Sequence, residues 1–138
     1  MAATKRQMNW SPVSFANNAA TGVTQVSIDH GISVQKFSGD GDHFVTTLVQ
    51  DFRDPTMTVT CADFAWIDAQ AVAGKGTLSA TAKDAKGATG GNITYTLSNA
   101  IASSANNSDA HRQFGSGSIT FTGESTDGTT SPLAISLA

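Results

Sequence analysis

Four separate stretches of this chain place a hydroxyl at every second position, and that period of two dictates extended structure. In Thr56 to Cys61, Met57, Val59 and Cys61 fall on one side, and Thr56, Thr58 and Thr60 on the other. Leu78, Ala80 and Ala82 alternate with Thr77, Ser79, Thr81 and Lys83. Ile93, Tyr95 and Leu97 alternate with Thr94, Thr96 and Ser98, and Ile119 and Phe121 with Ser118, Thr120 and Thr122. Successive side chains of a strand point to opposite faces, so each run has one dry apolar face and one wet, uncharged face.

Further strands follow from shorter signals. Met8 to Phe15 reads as a strand broken by Pro12, which donates no ladder hydrogen bond and so places this strand at an edge or on a bulge. Val23 to Ile28, Ile32 to Phe37 and Leu133 to Leu137 complete the set, with Asp29-His30-Gly31 as a turn. Phe44 to Val49 is apolar on both parities, which predicts a strand covered on both faces. Asn99 to Phe114 reads as a polar, irregular segment with its tip at Ala105–Ala110.

The segment from Lys36 to Gly74 has the best-defined succession of elements and is expected to form the packing centre. Two acidic turns, Gly39–Asp42 and Asp51–Pro55, separate its strands before a helix at about residues 62–73. Thr60 is the expected N-cap, with Asp63 favourable near the helix N-terminus. Phe64, Ile67 and Ala71 form the expected core stripe, which turns Trp66 and Gln70 away from it. A tryptophan so placed needs either a loop folded over it or a neighbouring subunit. The pattern as a whole predicts a mainly β chain, an antiparallel β-sandwich or barrel with one short flanking helix and long loops. Residues 1–138 form a single domain, with 1–7 as a loose N-terminal segment.

Ala, Gly, Ser and Thr make up roughly half of the residues, and charged residues only 14%. Soluble domains average about 25% charged. A surface this poor in charge is covered by small polar groups or by other subunits. The net charge of −3 offers no basic footprint for nucleic acid. The acids are ten Asp and the single Glu124, and Asp favours turns, so negative charge is expected in loops. A lone cysteine, Cys61, excludes an intrachain disulfide and reads as a buried small apolar residue.

No motif points to catalysis or to a cofactor. Gly74-Lys75-Gly76 lacks both the upstream glycine and the Ser or Thr that a phosphate loop requires. Asp40, Asp42 and His43 crowd into one turn without the spaced ligand series of a calcium loop, so no metal site is assigned. No stretch is long enough to span a bilayer as a helix.

Several phrases in order resemble the phage tail tube protein family. They are Lys36-Phe37-Ser38-Gly39-Asp40-Gly41-Asp42, then Asp51-Phe52-Arg53-Asp54-Pro55-Thr56-Met57-Thr58-Val59-Thr60 followed by a short helix, and the hairpin from Leu78 to Leu97. His111-Arg112-Gln113-Phe114-Gly115 and the closing Ser125 to Ser136 continue the likeness. The resemblance implies a non-enzymatic structural virion protein that self-assembles into stacked hexameric rings, a hollow tube through which genomic DNA leaves the particle. It further implies assembly in the host cytoplasm, with the tape measure, terminator and distal tail proteins as partners and no membrane. The lumen wall would be acidic and rich in hydroxyls. Residues expected at subunit contacts or the lumen are Asp40, Asp42, Arg53, Asp54, Trp66, Lys83, Lys86 and Arg112. The competing reading is a binding module, an adhesin or carbohydrate-binding β-sandwich with Trp10, Trp66 and Tyr95 as stacking platforms.

Overall fold

The computed structural model describes residues 8–84 and 92–137. The elements are β1 (Met8–Phe15), β2 (Asn18–Ala19), β3 (Val23–Asp29), β4 (Ile32–Phe37), β5 (Thr47–Arg53), β6 (Thr56–Cys61), α1 (Phe64–Ala71), β7 (Gly76–Asp84), β8 (Ile93–Ser108), β9 (Ser116–Thr122) and β10 (Leu133–Leu137). The mainly β, antiparallel character read from the alternation is what the chain adopts, with one short helix.

Eight strands form one hydrogen-bonded path, β2-β1-β7-β8-β9-β6-β3, with β10 added beside β8. The long β8 belongs to both halves of this path. Its first part pairs with β7 and β10 through Ile93–Ala100, and its second part pairs with β9 through Ile101–Ser108. Asn99, at φ 49°, lies next to the changeover. The two halves face each other as a sandwich, and the alternating apolar residues of both meet inside. Phe15 of β1 stacks on Phe121 of β9 with ring centroids 4.6 Å apart, joining the halves directly. Met57, Val59, Cys61, Leu78, Leu97 and Ile119 fill the remaining interior.

On its outer side strand β1 meets only the two-residue β2, at Ser14 and Phe15, so among the described residues its Met8–Pro12 stretch is an edge, and its register against β7 shifts between Trp10 and Val13. Pro12 therefore sits on an edge and at a bulge together, and both expected solutions hold.

The helix caps one end of the sandwich and corrects the expected stripe. Its N-cap is Asp63, not Thr60, and it runs over Phe64–Ala71 rather than 62–73. Asp63 accepts a hydrogen bond from the Trp66 amide at 3.1 Å, and its other oxygen accepts from the Thr21 hydroxyl, also at 3.1 Å. One carboxylate thus caps the helix and ties down the β2–β3 loop. The buried helical residues are Trp66, Ile67 and Gln70, while Ala71 is exposed. Gly117 of β9 makes room for this packing, since a Cβ there would stand 2.7 Å from Ile67 Cδ1.

Two segments expected to be otherwise are corrected by the register. Asn99 to Ser108 is strand and not irregular loop, so the β8–β9 loop begins only at Asp109. The strand placed at Phe44–Val49 starts three residues later, at Thr47, and is exposed along its whole length. Lys36–Gly74 is accordingly the packing centre only from Pro55 onward.

Candidate assembly surfaces

Strands β4 and β5 pair only with each other, as a hairpin separate from the eight-stranded path. Its root is tight. Gly31, at φ +66°, precedes β4, and a Cβ on it would lie 2.0 Å from the Asp54 carbonyl oxygen. Gly31 donates to Asp29 Oδ1 at 2.9 Å and Asp54 donates back to the Gly31 carbonyl at 3.1 Å. Only glycine meets both the left-handed backbone and the close approach. At the tip, the Gly39 amide donates to Asp42 Oδ2 at 2.8 Å and the Asp42 amide to the Gly39 carbonyl at 3.1 Å. Asp42 thus closes its own turn.

What the hairpin carries is apolar. Ile32, Val34, Phe37, Phe44, Val45, Leu48, Val49 and Phe52 are all between 44% and 84% exposed. They are eight of the twelve large apolar side chains exposed among the described residues. The register puts Val34 and Leu48 on one face of the arm and Phe37 and Val49 on the other, so both faces are apolar. Isolated apolar residues on a surface need no account, but this many on one hairpin mark an interaction site. The doubly apolar run at Phe44–Val49 is thus explained by a surface awaiting a cover.

A second surface is the outward face of β3, β6, β9 and the later part of β8. Residues opposite one another in a ladder share a face, so the register sets out polar rows across four strands. Gln25, Thr60, Ser118 and Asn106 form one row, Ser27, Thr58, Thr120 and Ser104 the next, and Asp29, Thr56, Thr122 and Ile101 the last. The Thr58 and Thr120 hydroxyls are 3.0 Å apart, and Thr122 donates to Ser103 Oγ at 3.2 Å. These rows hold no cation and a single carboxylate, Asp29. Apart from the exposed Ile101, such a face presents hydroxyls and amides with almost no field.

The same sheet ends in two open edges. Among the described residues, no strand pairs with the outer side of β3 or with the Ile101–Ser108 side of β8 away from β9. Unpaired backbone groups on an edge are a template for another strand.

The residues expected at subunit contacts divide. Asp40, Asp42, Arg53 and Asp54 are exposed at the tip and root of the hairpin. Lys83 is exposed on the opposite sheet, and Arg112 is exposed in the β8–β9 loop at φ 62°. Lys86 lies outside the described residues. Trp66 is a correction. It is only 6% exposed, and its Nε1 donates to the Asn18 carbonyl at 2.8 Å, so the β1–β3 segment folds over it within one subunit. Of the three aromatic residues offered as stacking platforms, Trp66 is thus withdrawn from the surface, while Trp10 is half-buried with its ring 6.0 Å from that of the half-buried Tyr95.

Sequence reasoning missed the hairpin's exposure and the fully exposed Phe114 of the β8–β9 loop. The signal for the first was the apolar run on both parities, which periodicity cannot assign to core or to interface.

Among the described residues no three His, Cys, Asp or Glu side chains converge as metal ligands, and no helix is long and apolar enough to cross a membrane. Burial pushes the Cys61 thiol up from its ordinary value, which disfavours the reactive thiolate.

No protein-family model and no curated sequence matches the chain. Solved structures do match in fold. A chain in the cryo-EM structure of the anti-feeding prophage tube-terminating cap has 17% identity and a TM-score of 0.59, covering 100% of this chain and 96% of that one. A chain of the sheath–tube complex of an extracellular contractile injection system in its extended state has 14% identity and a TM-score of 0.58, covering 100% and 93%. A chain of the sheath/tube terminator of such a system has 13% identity and a TM-score of 0.52, covering 92% of both. At these identities the likeness is one of fold, over nearly the full length of each chain.

Proposed function

We propose that this chain is a structural subunit that assembles with copies of itself into the hollow tube of a phage tail or a related injection particle. The observation that carries the reading is the β4–β5 hairpin. Eight exposed large apolar residues on an arm that nothing among the described residues covers call for a neighbouring subunit. The fold shared with chains of tube, cap and terminator assemblies supports the same role.

The sheet edges suggest how a ring would close. Across the four-stranded sheet, β3, β6, β9 and β8 alternate in direction. Rotation about an axis roughly along the strands preserves each strand's sense. Strand β8 of one copy would then meet β3 of the next antiparallel, and a head-to-tail contact of this kind closes into a ring. The hydroxyl rows would face the lumen, where a nearly uncharged wall gives a passing polyanion no cationic anchor. Six copies per ring, passage of genomic DNA and attachment to tape measure, terminator and distal proteins follow the family resemblance.

Electron microscopy of the purified protein tests this. Rings or tubes, spontaneous or nucleated by other tail components, are expected. A strictly monomeric protein under all such conditions overturns the proposal.

A further inference from the structure

The two ends of the four-stranded sheet are unlike, and each has what the other lacks. At the end reached by Asp29, Thr56 and Thr122, a cleft of about 120 Å³ opens beside the hairpin root. Its walls include Pro55, Pro132 and Leu133, with His30 and Arg53 among its polar groups. An apolar cavity of about 150 Å³ accepts a benzene ring, so this cleft is of the order of one aromatic side chain.

At the opposite end of the same strands, about 20 Å away along a strand of seven residues, the β8–β9 loop holds Phe114 entirely in solvent. The loop is braced. A Cβ on Gly115 would stand 2.7 Å from Phe64 Cζ, so the foot of the loop rests directly on the start of the helix. An exposed phenylalanine on a braced foot is a knob. Arg112, also exposed, precedes it by two positions in the same loop.

Charge favours joining these ends. The lining itself holds one cation, Arg53, and no carboxylate. The carboxylates of Asp54 and Asp127 adjoin lining residues in the chain and outnumber it, and Asp127 is held ionised well below the usual carboxylate range. Its oxygens accept from the Thr130 and Thr129 amides and from the Thr130 and Ser125 hydroxyls. Arg112 would approach this acidic rim as Phe114 enters the cleft, with Arg53 placed to meet the aromatic ring.

Building on the tube reading, we propose that Phe114 of one copy seats in the His30–Arg53–Pro132 cleft of a second copy, and that this contact stacks one ring upon the next. Knob and socket lie on opposite ends, so the contact is heterologous and does not close on itself. It therefore propagates as a filament.

The test compares wild-type protein with Phe114→Ser and Phe114→Trp. Phe114 is fully exposed, so all three are expected to melt together. Phe114→Ser should give rings but shorten tubes by about tenfold, while Phe114→Trp should keep them. Independently, a chain that keeps Phe114 and Arg53 but carries Gln113→Cys beside the knob and Thr129→Cys on the cleft wall should form a disulfide ladder of multiples on mild oxidation of its assemblies. Phe114→Ser tubes of wild-type length, or assembled double-cysteine tubes that yield no ladder, overturn the contact. Wild-type protein that never forms rings overturns the tube reading and this contact with it.

Discussion

The indole Nε1 of Trp66 donates to the carbonyl of Asn18 at 2.8 Å, a bond that spans 48 positions of chain. It pins the β1–β3 segment to the helix and satisfies the one polar atom of a side chain otherwise set against Phe121, whose ring centroid is 6.3 Å away. Trp66→Phe should cost about 1–2 kcal/mol, by leaving a carbonyl without its partner. Trp66→Ala should cost about 3–5 kcal/mol, by adding a cavity. Urea unfolding measures both, and a neutral Trp66→Ala would return the residue to the surface role once expected of it.

Gly31 is the second sensitive point. Its left-handed backbone, and the Asp54 carbonyl oxygen that a Cβ would meet at 2.0 Å, leave no position for a methyl group. Gly31→Ala should destabilise by about 1–3 kcal/mol or more, because backbone atoms must move. The movement should appear in amide exchange of β4 and β5 while β6 and β9 stay protected.

On the hairpin itself the expectation reverses. Leu48→Ser and Phe52→Ser remove exposed apolar groups, so unfolding of the monomer should shift by no more than about 0.5 kcal/mol. Assembly should fail, as read by sedimentation. Loss of monomer stability with assembly intact would make the hairpin an internal element.

Asp127 supplies a pH dependence. Its pKa is lowered by the hydrogen bonds it accepts, first among them those from Thr130 and Thr129. A depressed pKa stabilises the ionised loop above the unfolded carboxylate value of about 3.9, and that contribution is lost as pH falls through the folded value. The Thr129 and Thr130 amide resonances should therefore hold their native shifts well below pH 4. In Asp127→Asn they should be displaced at every pH. Titration near the ordinary carboxylate value would refute the assignment.

The strands were legible because hydroxyl and apolar residues alternate wherever one face is buried and the other wet. Three places were not legible, each for a physical reason. The helix has two turns and three alanines, Ala65, Ala69 and Ala71, with Ala62 just before it, so small residues gave its faces little contrast and Ile67 fits either stripe. Asn99–Ser108 hides a strand because only the small Ala100 and Ala102 pack in or against the core, while Ser104, Ala105 and Asn106 are exposed. Phe44–Val49 is apolar on both parities, and hydrophobicity does not distinguish a core from a contact between molecules. The candidate contact residues Asp40, Asp42, Arg53, Asp54 and Arg112 were placed at exposed turns because Asp and Gly mark turns. Trp66 was misplaced together with the helix stripe.

Strand β8 is shared by both sheets of the sandwich without a break in the chain. A load applied sideways to Ile101–Ser108 is carried through Asn99 into the ladder that holds Ile93–Leu97 between β7 and β10. Peeling that edge away would shear hydrogen bonds in two sheets together, where a hairpin confined to one sheet could unzip bond by bond. A wall built of such subunits would resist bursting through covalent continuity as well as through adhesion between copies.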